Sequence, residues 1–309
     1  MLSYIKAFSS CVAIASCLVT ADARRVDAAD AVCGGTYTSV AVLTADLDCS
    51  AESLAAITLE SDAILDLAGF TLTGGTNNAV LCEGDCQVRS SSPGGTISGA
   101  GANGIRGGQY GGDLRVRNVT VVGNAFDGIS IPDGDLTIVD SVVSNNGGRG
   151  IYSNGVRKAR MRGTTVAENG ESGLETYSRT IVLDSEFVNN GAYGVLANGV
   201  TIKRSSVTGN NYGITGGSSG RIRLTDTDVQ NNVGTGVSLH ADPNSDRCRI
   251  KIVSSDITGN AASPDCGVTV TCADIVSCGP PVLVASQCGT SFQIGMSLPG
   301  DDWDVCLLD

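Results

Sequence analysis

The sequence predicts an all-β fold, a right-handed parallel β-helix (a solenoid) of about nine coils with a disulfide-rich C-terminal cap. Two observations lead to this prediction. Glycine is abundant, with 41 residues, and aromatic residues make up only 4% of the chain, a composition typical of short β-branched strands joined by tight turns. A sequence motif also recurs about every 22 residues.

The repeated motif contains an asparagine three positions after an apolar residue and shortly before a glycine. Successive asparagines lie 20 to 28 residues apart, close to the length of one β-helix turn. The seven asparagines are Asn124, Asn146, Asn169, Asn190, Asn210, Asn232 and Asn260. Because stacked strands lie about 4.8 Å apart, we expect equivalent residues to form ladders, with apolar columns in the core and the asparagine amides bonded to one another. The glycines, such as Gly150, are expected to supply turn conformations that a Cβ would obstruct.

A leucine-rich repeat has a similar period, but it requires many leucines and a helix or equivalent segment in each unit. Valine and glycine occupy the repeated positions here instead. Two less regular coils precede the seven. In the coil that contains Asn103, a glycine follows the asparagine directly, so the pattern does not fix its register.

The chain divides into four predicted segments. Residues 1–23 have the features of a signal peptide, namely a basic residue, an apolar stretch and a small-x-small cleavage site. Residues 24–59 are assigned to an N-terminal cap, 60–270 to the β-helix and 271–309 to the cysteine-rich C-terminal cap. The protein is therefore predicted to be secreted and extracellular, with no transmembrane segment. The alternative is a lipid anchor at Cys17.

The cysteines outside the leader are even in number, which indicates disulfides in an exported protein. Zinc binding is disfavoured because the chain has no Cys-x-x-Cys and His240 is its only histidine. The disulfide candidates are Cys33, Cys49, Cys82, Cys86, Cys248, Cys266, Cys272, Cys278, Cys288 and Cys306. Sequence alone does not give their pairing. The residues between Leu239 and Arg249 are predicted to form a projecting loop.

The net charge of −12 argues against nucleic acid as a partner. Basic residues nevertheless concentrate at outward positions of one strand per coil: Arg115, Arg117, Arg160, Arg162, Lys203, Arg221, Arg223, Arg249 and Lys251, with Lys158 and Arg179 nearby. Stacking would align them into a cationic strip that fits a polyanionic polysaccharide. Like charges on neighbouring strands would then oppose one another at a cost of a few tenths of a kcal/mol per pair. Alternatively, these are ordinary solvated strands with Asp140, Asp184, Asp226 and Asp256 as counter-charges.

A second candidate face contains Tyr152, Glu175 and Tyr177, on the strand after each glycine. The two aromatic rings could stack on sugars, with Glu175 between them as an acid or base. The alternative is that these residues only decorate a solvent-facing strand, since no second carboxylate has an obvious place there.

The Gly-Ile and Asn-rich coils, the opening Cys33-Gly34-Gly35 and the segment Leu65–Thr73 (LDLAGFTLT) resemble the right-handed parallel β-helix superfamily of pectate-lyase-like proteins. This resemblance implies the fold, whereas the activities of the superfamily are diverse and include those of lyases, hydrolases, epimerases, tail spikes and non-catalytic surface proteins. Of the segments typical of polygalacturonase-like members, only Arg249-Ile250-Lys251 is present, and the one Asp-Asp, Asp301-Asp302, lies in the tail. A polygalacturonase-type hydrolase is therefore disfavoured.

Lyases of the superfamily use a lysine or arginine base together with a cation such as calcium. We therefore expect a secreted protein that engages polysaccharide, acting on a uronate or sulfated glycan as a lyase-like enzyme. The alternative is a non-catalytic cell-surface or structural solenoid. No catalytic residue, metal ligand or cofactor is predicted, and Ca²⁺ has no recognisable site. The oligomeric state is not predicted.

Overall fold

The computed structural model describes residues 28–107, 111–241, 249–260, 268–272, 282–284 and 287–288. In these residues every strand pairing is parallel, and each strand pairs with the equivalent strand of the next coil. The chain thus winds as a β-solenoid. Nine coils follow one another between Ala63 and Thr258, which confirms the predicted fold class.

Three parallel sheets run the length of the solenoid, which we name A, B and C. Sheet A contains Ala29–Asp30, Val40–Val42, Ala63–Asp66, Cys86–Arg89, Leu114–Arg117, Arg249–Val253 and Val282–Val284. Sheet B contains Leu47–Asp48, Thr71–Thr73, Thr96–Ser98, Thr120–Val122, Val142–Ser144, Thr165–Ala167, Glu186–Val188, Asp256–Thr258 and Gln287–Cys288. Sheet C contains Gly35–Tyr37, Ile57–Leu59, Val80–Cys82, Ile105–Arg106, Val237–Ala241 and Val268–Cys272.

In the central coils the strands are longer because the turn from sheet C to sheet A is itself extended. Ile129–Val139, Ile151–Arg162 and Leu174–Leu183 cross from C to A, and Tyr193–Thr208 and Tyr212–Gln230 continue into B. Register shifts occur at the crossings, for example between Gly134 and Leu136.

The core is the inside of the solenoid. Alternation along each strand directs one set of side chains inward, as the buried–exposed pattern of Leu114–Arg117 shows. The inward columns are aliphatic and almost completely buried, with Phe187 the largest such side chain among the described residues. This burial supplies the main favourable free energy of the fold.

The seven predicted asparagines form one continuous internal ladder. The Nδ2 group of each donates to Oδ1 of the next at 2.8 to 3.1 Å, for example Asn146 to Asn169 at 2.9 Å. The same Oδ1 accepts the backbone N–H of the preceding asparagine, and Nδ2 also donates to a backbone carbonyl, as Asn169 does to Val143. Both the oxygen and the nitrogen of each buried side-chain amide thereby have hydrogen-bond partners.

The register of the Asn103 coil is now fixed. Ala100 occupies the ladder position there, and its N–H donates to Oδ1 of Asn124 at 3.0 Å. Asn103 belongs to a different column, in which its Nδ2 donates to Asn78 and its Oδ1 accepts the N–H of Asp127.

A second internal ladder was not predicted. Hydroxyl groups at the turn from sheet A to sheet B cap the backbone of the same and neighbouring coils: Ser185 Oγ donates to the carbonyl of Leu183 and accepts the N–H of Thr164. The buried members are Ser141, Thr164, Ser185, Ser205, Thr227 and Ser255. Serine and threonine are common throughout this sequence, so their spacing alone did not distinguish the column.

The expected role of Gly150 needs correction. The backbone of Gly150 has no left-handed φ, but a Cβ there would lie 2.7 Å from both Asn169 Nδ2 and the Gly173 carbonyl oxygen. Glycine is required because neighbouring coils approach closely. The left-handed turn positions are instead occupied mainly by Asn, Asp and Gly, such as Asp184 with φ of 50°.

Four of the ten candidate cysteines form two disulfides, Cys33–Cys49 and Cys82–Cys86. The first lies in the segment assigned to the N-terminal cap, whose strands from Ala29–Asp30 to Ile57–Leu59 pair in parallel with the following coils. The second joins the end of a sheet C strand to the start of a sheet A strand. Of the loop predicted between Leu239 and Arg249, His240 and Ala241 continue the strand Val237–Ala241 and residues 242–248 lie outside the described residues. Residues 1–27, most of the C-terminal cap and the side chains of the other six candidate cysteines also lie outside them.

Candidate functional site

The cationic strip, defined as the basic residues that point outward from sheet A, lies in the register that the sequence predicts. Arg115 pairs with Thr137, which pairs with Arg160, and the column continues through Thr201 to Arg223 and Lys251. Arg117, Arg162 and Lys203 lie in the column two residues further along. Arg221, where its long strand enters sheet A, pairs with Arg249, and the side chain of Arg249 lies outside the described residues.

Most of this strip is solvent-exposed and free of counter-ions. Arg115, Arg117, Arg160, Arg221 and Arg223 are exposed, whereas Lys203 and Lys251 are half-buried. Among the strip cations predicted from the sequence, and within the described part of the chain, Arg162 is the one with a carboxylate within 4.0 Å, at 3.9 Å from Asp184. Asp140, Asp226 and Asp256 make no such contact with the strip side chains that the structure describes, so the predicted counter-charges leave most of the charge of these side chains available.

In the columns of Arg115 and Arg117, like charges do not oppose one another on neighbouring strands of the central coils, although Lys158 pairs directly with Arg179 in the column at the start of the strands. Thr137 and Val139 separate the Arg115–Arg117 coil from the Arg160–Arg162 coil. Ile181 and Leu183 then separate Arg160–Arg162 from Lys203. Direct opposition occurs further on, where Arg223 pairs with Lys251. The spacing reduces charge repulsion within the sheet.

A strip cation that the sequence analysis omitted is Arg89, which pairs with Arg117. Its Nε donates to Asp66 at 3.1 Å, so it is neutralised locally. Burial raises the pKa of Asp66, but the N–H groups of Ser91 and Ala68 and the charge of Arg89 outweigh burial and hold this pKa below its usual value. The coil that contains Arg89 has Ala100 in place of the repeated asparagine, so the sequence pattern does not align it with the other coils.

The column at the start of the sheet A strands changes sign along the axis. Its N-terminal members are acidic: the N–H of Asp113 donates to Asp85 at 2.7 Å, and the N–H of Asp135 donates to Asp113 at 2.9 Å. Lys158 and Arg179 follow in the next two coils. The basic surface is therefore broadest in the C-terminal half of the described solenoid.

The second candidate face brings Tyr152, Glu175 and Tyr177 together around Arg149, which the sequence analysis did not single out. Arg149 Nε donates to Glu175 at 2.7 Å, and its guanidinium lies 4.3 Å from the centroid of the Tyr152 ring. The Tyr177 hydroxyl donates to the other oxygen of Glu175 at 3.0 Å. Asp127 and Glu171 lie 3.9 and 3.5 Å from Arg149.

These contacts make the cluster a cross-coil ion-pair network. Burial lowers the pKa of Arg149, but the hydrogen bond and charge of Glu175, together with Asp127 and Glu171, outweigh burial and raise it. The hydrogen bond to Glu175 raises the pKa of Tyr177, so the phenol stays protonated at neutral pH. Glu175 is 9% exposed and both its oxygens are engaged. One face of Tyr152 is covered by Arg149, whereas the Tyr177 ring is 48% exposed and is open to a sugar.

The described residues contain no group of three or more His, Cys, Asp or Glu side chains that could hold a metal ion. They also contain no helix with the length and hydrophobicity needed to cross a bilayer.

Stacked parallel coils, an internal asparagine ladder and a polar outer surface define a right-handed β-helix protein. The sequence profile of the family described as "right handed beta helix region" matches residues 78–273, which is more than half of the chain, and the chain belongs to this family. Its membership is consistent with the resemblance to pectate-lyase-like proteins. No curated protein and no solved structure matches the chain.

Proposed function

We propose that this protein binds a polyanionic polysaccharide along the outer face of sheet A. The observation that carries the proposal is the cationic strip: exposed basic residues, in register over successive coils, whose charges are mostly not neutralised by neighbouring carboxylates. Unpaired cations on a rigid surface attract a flexible polyanion because no internal ion pair has to be broken first.

The test compares two double variants in binding to polygalacturonate and to heparin at low ionic strength. Arg115→Gln with Arg160→Gln removes two strip cations that make no ion pair. The matched control, Arg106→Gln on sheet C with Thr120→Glu on sheet B, lowers the net charge by the same amount away from the strip. We expect the strip variant to bind about tenfold more weakly, because each of the two lost ion pairs with the polymer weakens binding about threefold. The affinity of the control should change by less than about twofold.

Added salt gives a second readout, because binding through ion pairs weakens as ionic strength rises. If neither polymer binds the unmodified protein at low ionic strength, or if both double variants lose binding equally, the proposal is wrong.

Lyase-like action on such a glycan is the catalytic form of this proposal. A lyase needs a basic residue beside a group that neutralises the uronate carboxylate, and Arg160 and Arg162 on one strand offer two neighbouring cations for this. Incubation with several uronate polymers, followed by ultraviolet absorbance of unsaturated products, tests it. Binding without such products would support the alternative, a non-catalytic surface solenoid.

An extracellular location is part of the proposal. The two disulfides support it, since disulfides persist in oxidising compartments. Secretion through residues 1–23 and lipidation at Cys17 remain predictions, which the mass of the mature protein after expression with its leader would distinguish.

A further inference from the structure

The rows of side chains on the face of sheet A alternate in character over five coils, from the coil of Arg115 to that of Lys203. In the two outward columns that contain Arg115 and Arg117, these residues are followed by Thr137 and Val139 in the next coil. Arg160 and Arg162 come next, then Ile181 and Leu183, and then Thr201 and Lys203. The order is therefore basic, neutral, basic, apolar, basic over these five coils, whereas Arg89 before them and Arg223 and Lys251 after them place cations in consecutive coils.

The alternation has a defined repeat distance along the solenoid axis. Adjacent coils are one strand spacing apart, so successive basic rows lie about 9.6 Å apart along the solenoid axis. One pyranose of an extended polysaccharide advances by about one strand spacing. A chain that lies along the axis therefore places roughly one sugar on each coil, and every second sugar on a basic row.

The neutral rows offer a different contact. Val139, Ile181 and Leu183 point outward and are partly exposed on the surface of the sheet. Aliphatic side chains favour the C–H face of an uncharged sugar and give a carboxylate or sulfate no partner, so a charged group held over them loses hydration without compensation. The neutral rows thus select against a charge on every sugar.

Arg179 does not change this pattern. It belongs to the same strand as Ile181 and Leu183 but lies in the column at the start of the sheet A strands, beside Lys158. A polymer centred on the other two columns meets Arg179 only at its edge.

From this arrangement we infer that the ligand is an alternating copolymer, with an anionic sugar and an uncharged sugar in each disaccharide, bound parallel to the solenoid axis. The inference rests on the proposed function and adds the charge pattern of the polysaccharide. A homopolymer of uronic acid has a carboxylate on every sugar. Over these five coils, every second carboxylate would therefore lie on a neutral row.

The experiment compares hyaluronan, in which glucuronate alternates with an uncharged N-acetylhexosamine, with polygalacturonate. Affinity is measured at one low ionic strength and expressed per bound carboxylate. We expect the unmodified protein to prefer hyaluronan by about threefold or more, the effect of about one surface ion pair.

A matched pair of variants tests the origin of that preference. Val139→Lys with Leu183→Lys places cations in the neutral rows and should remove or reverse the preference for hyaluronan. Thr120→Lys with Thr165→Lys adds the same charge on sheet B, where both residues also point outward, and should leave the preference for hyaluronan unchanged.

The outcomes separate the inference from the proposed function. Equal binding of both polymers, or a preference for polygalacturonate, overturns the alternating pattern and leaves polyanion binding intact. Absence of binding to either polymer overturns both. A preference for hyaluronan that survives Val139→Lys with Leu183→Lys shows that the neutral rows do not select, and also overturns the inference.

Discussion

Two carboxylates, Asp66 and Asp127, occupy environments with opposite effects on their charge. Asp66 accepts two backbone N–H groups and an arginine, and its pKa lies below the usual value. For Asp127 burial is the largest influence, and with the charges of Glu171 and Glu175 it outweighs Arg149, so the pKa is raised. The first group stabilises the fold when ionised, and the second does so when protonated.

The stability of the protein should therefore respond to these two residues with opposite dependence on pH. A depressed pKa contributes stability that is present above the unfolded value, near 3.8, and is lost as pH falls through the folded pKa. Asp66→Asn should thus destabilise at pH 7, and its difference from the unmodified protein should shrink below about pH 4.

Asp127→Asn is the matched comparison. A raised pKa means that the ionised form is disfavoured in the folded state at neutral pH, so this substitution should cost little or stabilise there. The relative advantage of the variant should disappear as pH falls through the folded pKa, where Asp127 is itself protonated. Urea midpoints between pH 7 and pH 3 give both curves, and parallel curves for the two variants would refute the assignment.

At the scale of the repeated element, the asparagine ladder holds the turns of seven coils in one hydrogen-bonded column. Each member serves as acceptor for the coil before it and as donor to the coil after it. The ladder therefore couples neighbouring coils more specifically than the apolar core, in which one aliphatic residue can replace another.

Asn169→Ala should break this coupling at its middle. The backbone N–H and Nδ2 of Asn146 lose their acceptor, and the Val143 carbonyl loses a donor, all in a buried site. We expect a loss of about 3 kcal/mol in the free energy of unfolding, since each unsatisfied buried group costs about 1–3 kcal/mol.

Asn154→Ala, at an exposed position of a neighbouring strand, is the control and should change stability by less than about 0.5 kcal/mol. Urea denaturation followed by circular dichroism measures both variants. Equal stability of the two would show that the ladder does not carry the coupling.

The coil repeat could be predicted from sequence because a solenoid repeats its environment, so the same buried position requires the same residue type every turn. Asn124 to Asn260 are invariant for that reason, and the predicted columns of Arg115 and Arg117 followed from the same register. The hydroxyl ladder escaped notice because serine and threonine satisfy it equally and also occupy exposed positions.

The cluster around Arg149 could not be predicted by the same route. Its members come from different columns of the repeat: Arg149 precedes Gly150 in one coil, and Glu175 lies on the sheet C strand of the next. The direction of a long side chain across a coil boundary is set by local packing, which periodicity does not encode. The sequence placed Tyr152, Glu175 and Tyr177 on one face, but not the ion pair that engages Glu175.

For the molecule as a whole, the net charge of −12 and the cationic strip are reconciled by segregation of charge around the solenoid. Sheet A presents the free cations, whereas Asp184, Glu186, Asp226 and Asp228 line a shallow groove beside the A-to-B turn, around Arg204. At physiological ionic strength, charges further apart than about 8 Å are largely screened. A polyanion on sheet A therefore senses mainly the strip and the acids at its edge.

Asp184 is the acid best placed to weaken binding to the strip. It accepts two hydrogen bonds from Arg204, at 2.7 and 3.0 Å, and lies 3.9 Å from Arg162. Asp184→Asn should strengthen polyanion binding by about two- to threefold, because Arg162 loses its one nearby carboxylate and the local repulsion of the polymer decreases.

Asp30→Asn removes the same charge from the N-terminal end of the solenoid and should have little effect. Titration of heparin against both variants at about 0.1 M salt, near a 10 Å screening length, provides the comparison. Equal gains for the two would mean that the polymer responds to net charge alone and not to the surface of sheet A.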